Sequence, residues 1–145
     1  MKIRSLFIFT LLITSFIIAQ PVLAQEAEYE IDSTEIIGDV YLFAEKQPQY
    51  PGGMDAFYRF VDANLDYPSK ALKKKVQGKV YVQFTVLTDG EITDVRTIKG
   101  LGYGCDQEAE RLIKSAGKWV PGSHKGQSVK VRMDIPFTFT LDKVN

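Results

Sequence analysis

One cysteine and one histidine, Cys105 and His124, are all that this chain of 145 residues offers of the side chains behind most metal centres and thiol chemistry. A lone cysteine excludes an internal disulfide and any cysteine-based cluster built from this chain alone. A lone histidine leaves no second imidazole for a zinc site. An excess of charge of one sign is missing too. Lysine and arginine number 18, as do aspartate and glutamate, and removing residues 1–24 leaves 16 basic groups against 18 acidic ones. Nothing in that balance points to a nucleic-acid binder, which normally shows a basic excess on one face. The carboxylates are scattered over positions expected to be exposed, without the paired acid and base that glycoside hydrolysis needs. Gly100, Gly102 and Gly104 invite comparison with a phosphate loop, but no lysine–serine or lysine–threonine pair follows and the dinucleotide spacing is absent. The segment reads instead as a strand-to-helix turn. Cys105 is expected to pack in the interior and His124 to sit in a solvated loop. These absences point to a protein that is not an enzyme and needs no cofactor.

What the chain has is alternation. From Gln127 to Leu141, Val129, Val131, Met133, Ile135, Phe137, Phe139 and Leu141 alternate with Ser128, Lys130, Arg132, Asp134, Pro136, Thr138 and Thr140. Such a run is a β-strand with one face buried and one wet. Pro136 lies inside it, and a proline in a strand marks a sheet edge or a bulge. A long edge strand leaves a row of backbone N–H and C=O groups with which a partner, or a second copy of the chain, can pair.

Residues 1–24 read as an export signal. Lys2 and Arg4 form its positive start, Leu6 to Ala19 its apolar run, and Val22-Leu23-Ala24 a cleavage site after Ala24. The rival is an uncleaved inner-membrane anchor, for which the run is short against the roughly 20 residues of a spanning helix. Either places the remainder outside the cytoplasm, in the periplasm if the host has two membranes. Residues 25–46 form an acidic, flexible lead-in, with Val40-Tyr41-Leu42-Phe43 as an accessory strand or docking segment.

Residues 47–142 carry the domain. Gln47 to Gly53 is a turn-rich connector. A helix is expected over Met54–Asn64, with Phe57, Phe60, Val61 and Leu65 on one side. Tyr67-Pro68 stops it, and Ser69 is expected to cap a short helix through Lys75. Lys79 to Thr88 reads as a central strand, Asp89-Gly90 as a hairpin turn, and Glu91 to Lys99 as a returning strand with a bulge. Asp106 is expected to cap a third helix whose stripe is Ala109, Leu112, Ile113 and Ala116. Trp119 is expected to close the core against the sheet.

Taken in order, Tyr50-Pro51-Gly52-Gly53, Tyr67-Pro68 with Ala71, Gln77-Gly78-Lys79-Val80, Asp89-Gly90, Asp94-Val95, Gly104-Cys105-Asp106 with Glu108-Ala109, Lys118-Trp119-Val120-Pro121-Gly122, Gly126 and Pro136-Phe137 resemble the C-terminal domain of TonB, in the form common in Bacteroidetes. The resemblance implies an α+β fold with a three-stranded antiparallel sheet and two main helices packed on one face. It implies partners as well: TonB-dependent outer-membrane receptors, whose short segment pairs with the last strand. Carried over by position, the docking rail is the backbone of Val129, Lys130, Val131, Arg132, Met133, Asp134 and Ile135. In this resemblance a membrane-anchored transducer would couple inner-membrane motor proteins and the proton motive force to uptake. The short lead-in, poor in proline, suits a free periplasmic binding module better.

Overall fold

Residues 36–143 are described by the computed structural model. The export signal expected at residues 1–24, and the first part of the lead-in, lie outside the described residues. The elements run β1 (Ile36–Ile37), β2 (Val40–Tyr41), α1 (Gly53–Asn64), α2 (Ser69–Lys74), β3 (Gly78–Val86), β4 (Ile92–Lys99), α3 (Cys105–Ser115), β5 (Gly122–His124) and β6 (Gln127–Phe139), followed by a 3₁₀ turn at Leu141–Lys143. The fold is α+β.

Three long antiparallel strands make the body of the sheet. β3 lies between β6 and β4, as the apolar weight on both of its faces implied. The ladder of β3 with β4 shifts register twice, and Asp94 takes a left-handed φ of 54°, so the expected irregularity in β4 is there. Short strands extend the sheet on the far side of β6, giving the order β1-β2-β6-β3-β4, while β5 pairs with the start of β6. β6 ends two residues earlier than its alternation, because Leu141 begins the 3₁₀ turn.

The core sits between the helices and one face of the sheet. Val80, Val82, Phe84 and Val86 of β3 and Ile135, Phe137 and Phe139 of β6 meet Phe57 and Val61 of α1, Ala71 of α2 and Cys105, Ala109, Leu112 and Ile113 of α3. Each large side chain among them contributes about 1.5–3 kcal/mol by leaving water. Trp119 is buried, its ring centroid 5.3 Å from those of both Phe57 and Phe84.

The hairpin turn explains its glycine. Gly90 has a φ of 83°, and a Cβ there would lie 2.0 Å from the Trp119 carbonyl oxygen. The Trp119 N–H donates to the Gly90 carbonyl at 2.8 Å, so only a residue without a side chain lets the tryptophan backbone approach the turn.

Two caps differ from expectation. Ser69 is the first residue of α2, not its cap; Pro68 holds the cap position, and no side chain caps the helix. Asp106 does not cap α3, whose cap position is Gly104. Its carboxylate reaches back instead to accept the N–H groups of Leu101 (2.8 Å) and Gly102 (3.2 Å), which fixes the glycine-spaced loop. A neighbouring run of donors drew the acid inward along the loop.

Candidate functional site

The candidate site is the backbone of β6, and Pro136 orients it. β3 borders β6 from Val131 to Phe139 with no break in register, and Pro136 pairs with Tyr81 inside that ladder. Proline has no N–H to give, so a ladder that continues through it requires the backbone of Pro136 to face the other flank. Backbone groups alternate sideways along a strand. Lys130, Arg132, Asp134 and Thr138 therefore turn their N–H and C=O away from β3, in the same direction as Pro136. Val131, Met133 and Ile135 give their backbone groups to β3, with Val131 and Ile135 buried.

The chain itself occupies part of that outer flank. β2 runs parallel to β6 and pairs Val40 with Lys130 and Tyr41 with Val131. Val131 thus has a strand on each side, Val86 of β3 and Tyr41 of β2. Upstream, β5 pairs with β6 from Gln127 to Val129 across a two-residue turn in which Lys125 and Gly126 have φ of 49° and 77°. In that parallel register, with Val131 bonded to β3, the groups facing Tyr41 are the Lys130 carbonyl and the Arg132 N–H, and from Met133 to Phe139 no strand among the described residues lies on the outer flank.

The structure divides the seven residues expected as the docking rail. Val129, Lys130 and Val131 are already paired, Val129 by Gly122 and the other two by β2. Of Arg132, Met133, Asp134 and Ile135, only Arg132 and Asp134 turn backbone groups outward. The sequence reading did not include Thr138, which the alternation from Pro136 adds, nor Asp39, Val40 and Tyr41 as the segment lying on the rail. The parity of Pro136 was the available signal for the first, and the apolar run Val40–Phe43 for the second.

Side chains around the rail form two surfaces. On the wet face, Arg96 donates to Gln83 Oε1 at 3.1 Å, and Gln83 Nε2 donates to Asp134 Oδ1 at 2.9 Å, a polar row across all three long strands. A groove of about 610 Å³ above this row is walled by Ile37, Leu42 and Phe43 on one side and Arg96, Arg132 and Asp134 on the other. On the helix side, a smaller groove of about 170 Å³ runs between α1 and the rail, lined by Tyr58, Leu65, Pro136, Phe137 and Thr138. Lys130 donates to Asp39, and this hydrogen bond and the lysine's charge hold the Asp39 carboxyl below its ordinary value.

Groups that might have carried chemistry are placed elsewhere. Cys105 is fully buried at the start of α3; burial, then the charge of Asp106, push its thiol up and away from the reactive thiolate. His124 lies on β5, its ring 5.2 Å from that of Tyr41 and its Nδ1 3.9 Å from Glu45. Among the described residues no group of three or more histidines, cysteines or acids is arranged to hold a metal ion.

The carboxylates are not all exposed. Glu108 is buried and accepts the Asp66 N–H at 2.7 Å and the Arg111 guanidinium at two points, both 2.7 Å, while Arg111 also donates to the Asn64 carbonyl at 2.7 Å. The acid clamps the exit of α1 to α3, a structural task that its spacing of three from Arg111 only hints at.

The model of the Gram-negative bacterial TonB protein C-terminal region matches residues 63–141, more than half of the chain. The chain belongs to the TonB C-terminal family. It is similar to Protein TonB of Helicobacter pylori, 27% identical over 103 residues, a match covering 68% of this chain and 35% of that protein. The chain thus spans about a third of the length of this TonB relative. Two solution structures of the Helicobacter pylori TonB C-terminal domain are also similar. The longer gives a TM-score of 0.47 at 25% identity over 61% of this chain and 79% of that one. The shorter gives 0.45 at 26% identity over 61% and 91%.

Proposed function

We propose that this member of the TonB C-terminal family is a protein-interaction module facing the periplasm, which takes up a segment of a TonB-dependent outer-membrane receptor by strand addition to β6 and so supports transport across that membrane. The observation that carries this reading is the set of outward backbone groups on β6, fixed in direction by Pro136 and, among the described residues, without a strand partner from Met133 onward. Backbone pairing supplies affinity in such a mode, and the grooves beside the rail supply selectivity.

Asp134→Pro and Thr138→Pro test it. Each leaves the β3 ladder intact, as Pro136 does, and removes one outward donor. Both variants are expected to fold with the wild-type circular dichroism spectrum and to lose capture of receptors from outer-membrane extract. Folded variants that capture receptors as the wild type does place the docking site elsewhere.

A second reading, a membrane-anchored transducer that draws on the proton motive force through inner-membrane motor proteins, is favoured by the apolar run Leu6 to Ala19. The mass of the mature protein separates the two, since loss of the first 24 residues removes the anchor.

A further inference from the structure

We propose that the β1–β2 hairpin is an internal occupant of the partner rail, which the receptor segment must displace; this rests on strand addition to β6. Lys130, Arg132 and Asp134 form the run of outward donors before Pro136 interrupts it, and β2 covers the first two of them. A visitor confined to the uncovered stretch meets one donor, at Asp134, then the gap at Pro136, then Thr138. A visitor that uses the uninterrupted run has to take the place of Val40 beside Lys130.

The hairpin is built to leave. It has two residues per strand, and only two pairs join it to β6. Ile37 within it and Phe43 just beyond it are 53% and 58% exposed, and Val40 and Tyr41 are only half-buried, so it buries little apolar surface in return for being ordered. Its side-chain tie to the rail is the ion pair of Asp39, itself 74% exposed, with Lys130. Just downstream the chain is firmly held: Lys46 and Ser123 exchange two backbone hydrogen bonds at 3.0 and 2.9 Å, Gln49 and Val120 do the same at 3.0 and 2.8 Å, and the Lys125 N–H donates to Glu45 at 2.9 Å. Leu42 to Ala44 is thus a short tether between a fixed segment and a loosely paired one. Departure of the hairpin also removes Ile37 from the wall of the groove over Arg132 and Asp134, opening the wet face of the rail.

Occupancy lowers the apparent affinity for any visitor by the fraction of molecules in which the rail is open. Asp39→Lys in the full chain sets two lysines against each other and opens the hairpin; the swap Asp39→Lys with Lys130→Asp closes it again. The probe is a set of synthetic peptides tiling the periplasmic N-terminal segments of the host's outer-membrane receptors, with affinity read by calorimetry and amide exchange read at Asp39–Tyr41. Peptide binding is expected to speed exchange at Asp39–Tyr41, Asp39→Lys to tighten binding about threefold or more, and the swap to return it toward wild type. Peptides that bind while Asp39–Tyr41 stay protected, or equal affinity for the wild type and Asp39→Lys, overturn the displacement and leave strand addition standing. Peptides that bind neither form overturn strand addition and the displacement with it.

Discussion

Replacing Pro136 with alanine tests the geometry on which the rail depends. The β3 ladder passes through Pro136 without using an N–H there, so the alanine has nothing to repair and nothing to break on that flank. The cost to stability is then the lost stiffness of the unfolded chain, about 0.4–1 kcal/mol. The gain is one outward donor in the gap between Asp134 and Thr138. A net hydrogen bond is worth about 0.5–1.5 kcal/mol, so a peptide long enough to reach it binds roughly two- to tenfold tighter. Amide exchange by NMR reads the direction without any ligand. In the isolated variant the amide of the new alanine is expected to exchange as fast as a loop amide, while those of Ile135 and Phe137, bonded to β3, stay protected. A slow amide at position 136 means that it donates to β3. The alternation is then the reverse of that assigned here, and Arg132, Asp134 and Thr138 do not face outward.

Other predictions concern the frame that holds the rail. Glu108→Ala removes three charge-assisted hydrogen bonds at a side chain only 9% exposed. Each is worth about 1.5–3 kcal/mol, but Arg111 is half exposed and regains water, so the net loss is about 2–3 kcal/mol. Thermal unfolding is expected to fall by about 10 °C or more, and Glu108→Gln by less; an unchanged midpoint for Glu108→Ala means that the clamp contributes nothing. Glu110 is pushed up by burial, but the hydroxyl and N–H of Thr97, with Lys114, outweigh this and hold its carboxyl below the ordinary value. A depressed carboxyl stabilises the fold above its unfolded value and loses that contribution as the pH falls through its folded one. Glu110→Gln is therefore expected to cost about 0.5–1 kcal/mol near neutrality, with the gap from wild type closing below about pH 4 in urea titrations.

The body of the fold was legible because its signals are local. Seven alternations fixed β6, the apolar weight on both faces of β3 placed it centrally, and Asp89-Gly90 fixed the turn between β3 and β4. The candidate site was legible only in part. Pro136 announced an edge, yet its parity decides which residues turn outward, and parity matters only once an unbroken ladder runs beside it. The hairpin was hidden by its brevity. Ile36 to Asp39 stood in an acidic lead-in with little to bury, and β2 gains its order from Lys130 and Val131, about 90 positions away along the chain. The roles of Asp106 and Glu108 are hidden from the sequence for a common reason. Both stand where helix-start acids usually meet water or cap the helix, and both were claimed instead by backbone donors from other segments, Leu101 and Gly102 for one and Asp66 for the other.

Strand addition at β6 is tested most directly by NMR titration of the isotope-labelled protein with a receptor peptide that it captures. The account predicts that the amides of Asp134 and Thr138 shift and become protected from exchange and that of Arg132 shifts, while those of β4 stay as they were. Protection that arises on β4 or on the helices, with the Asp134 and Thr138 amides still exchanging freely, would contradict it.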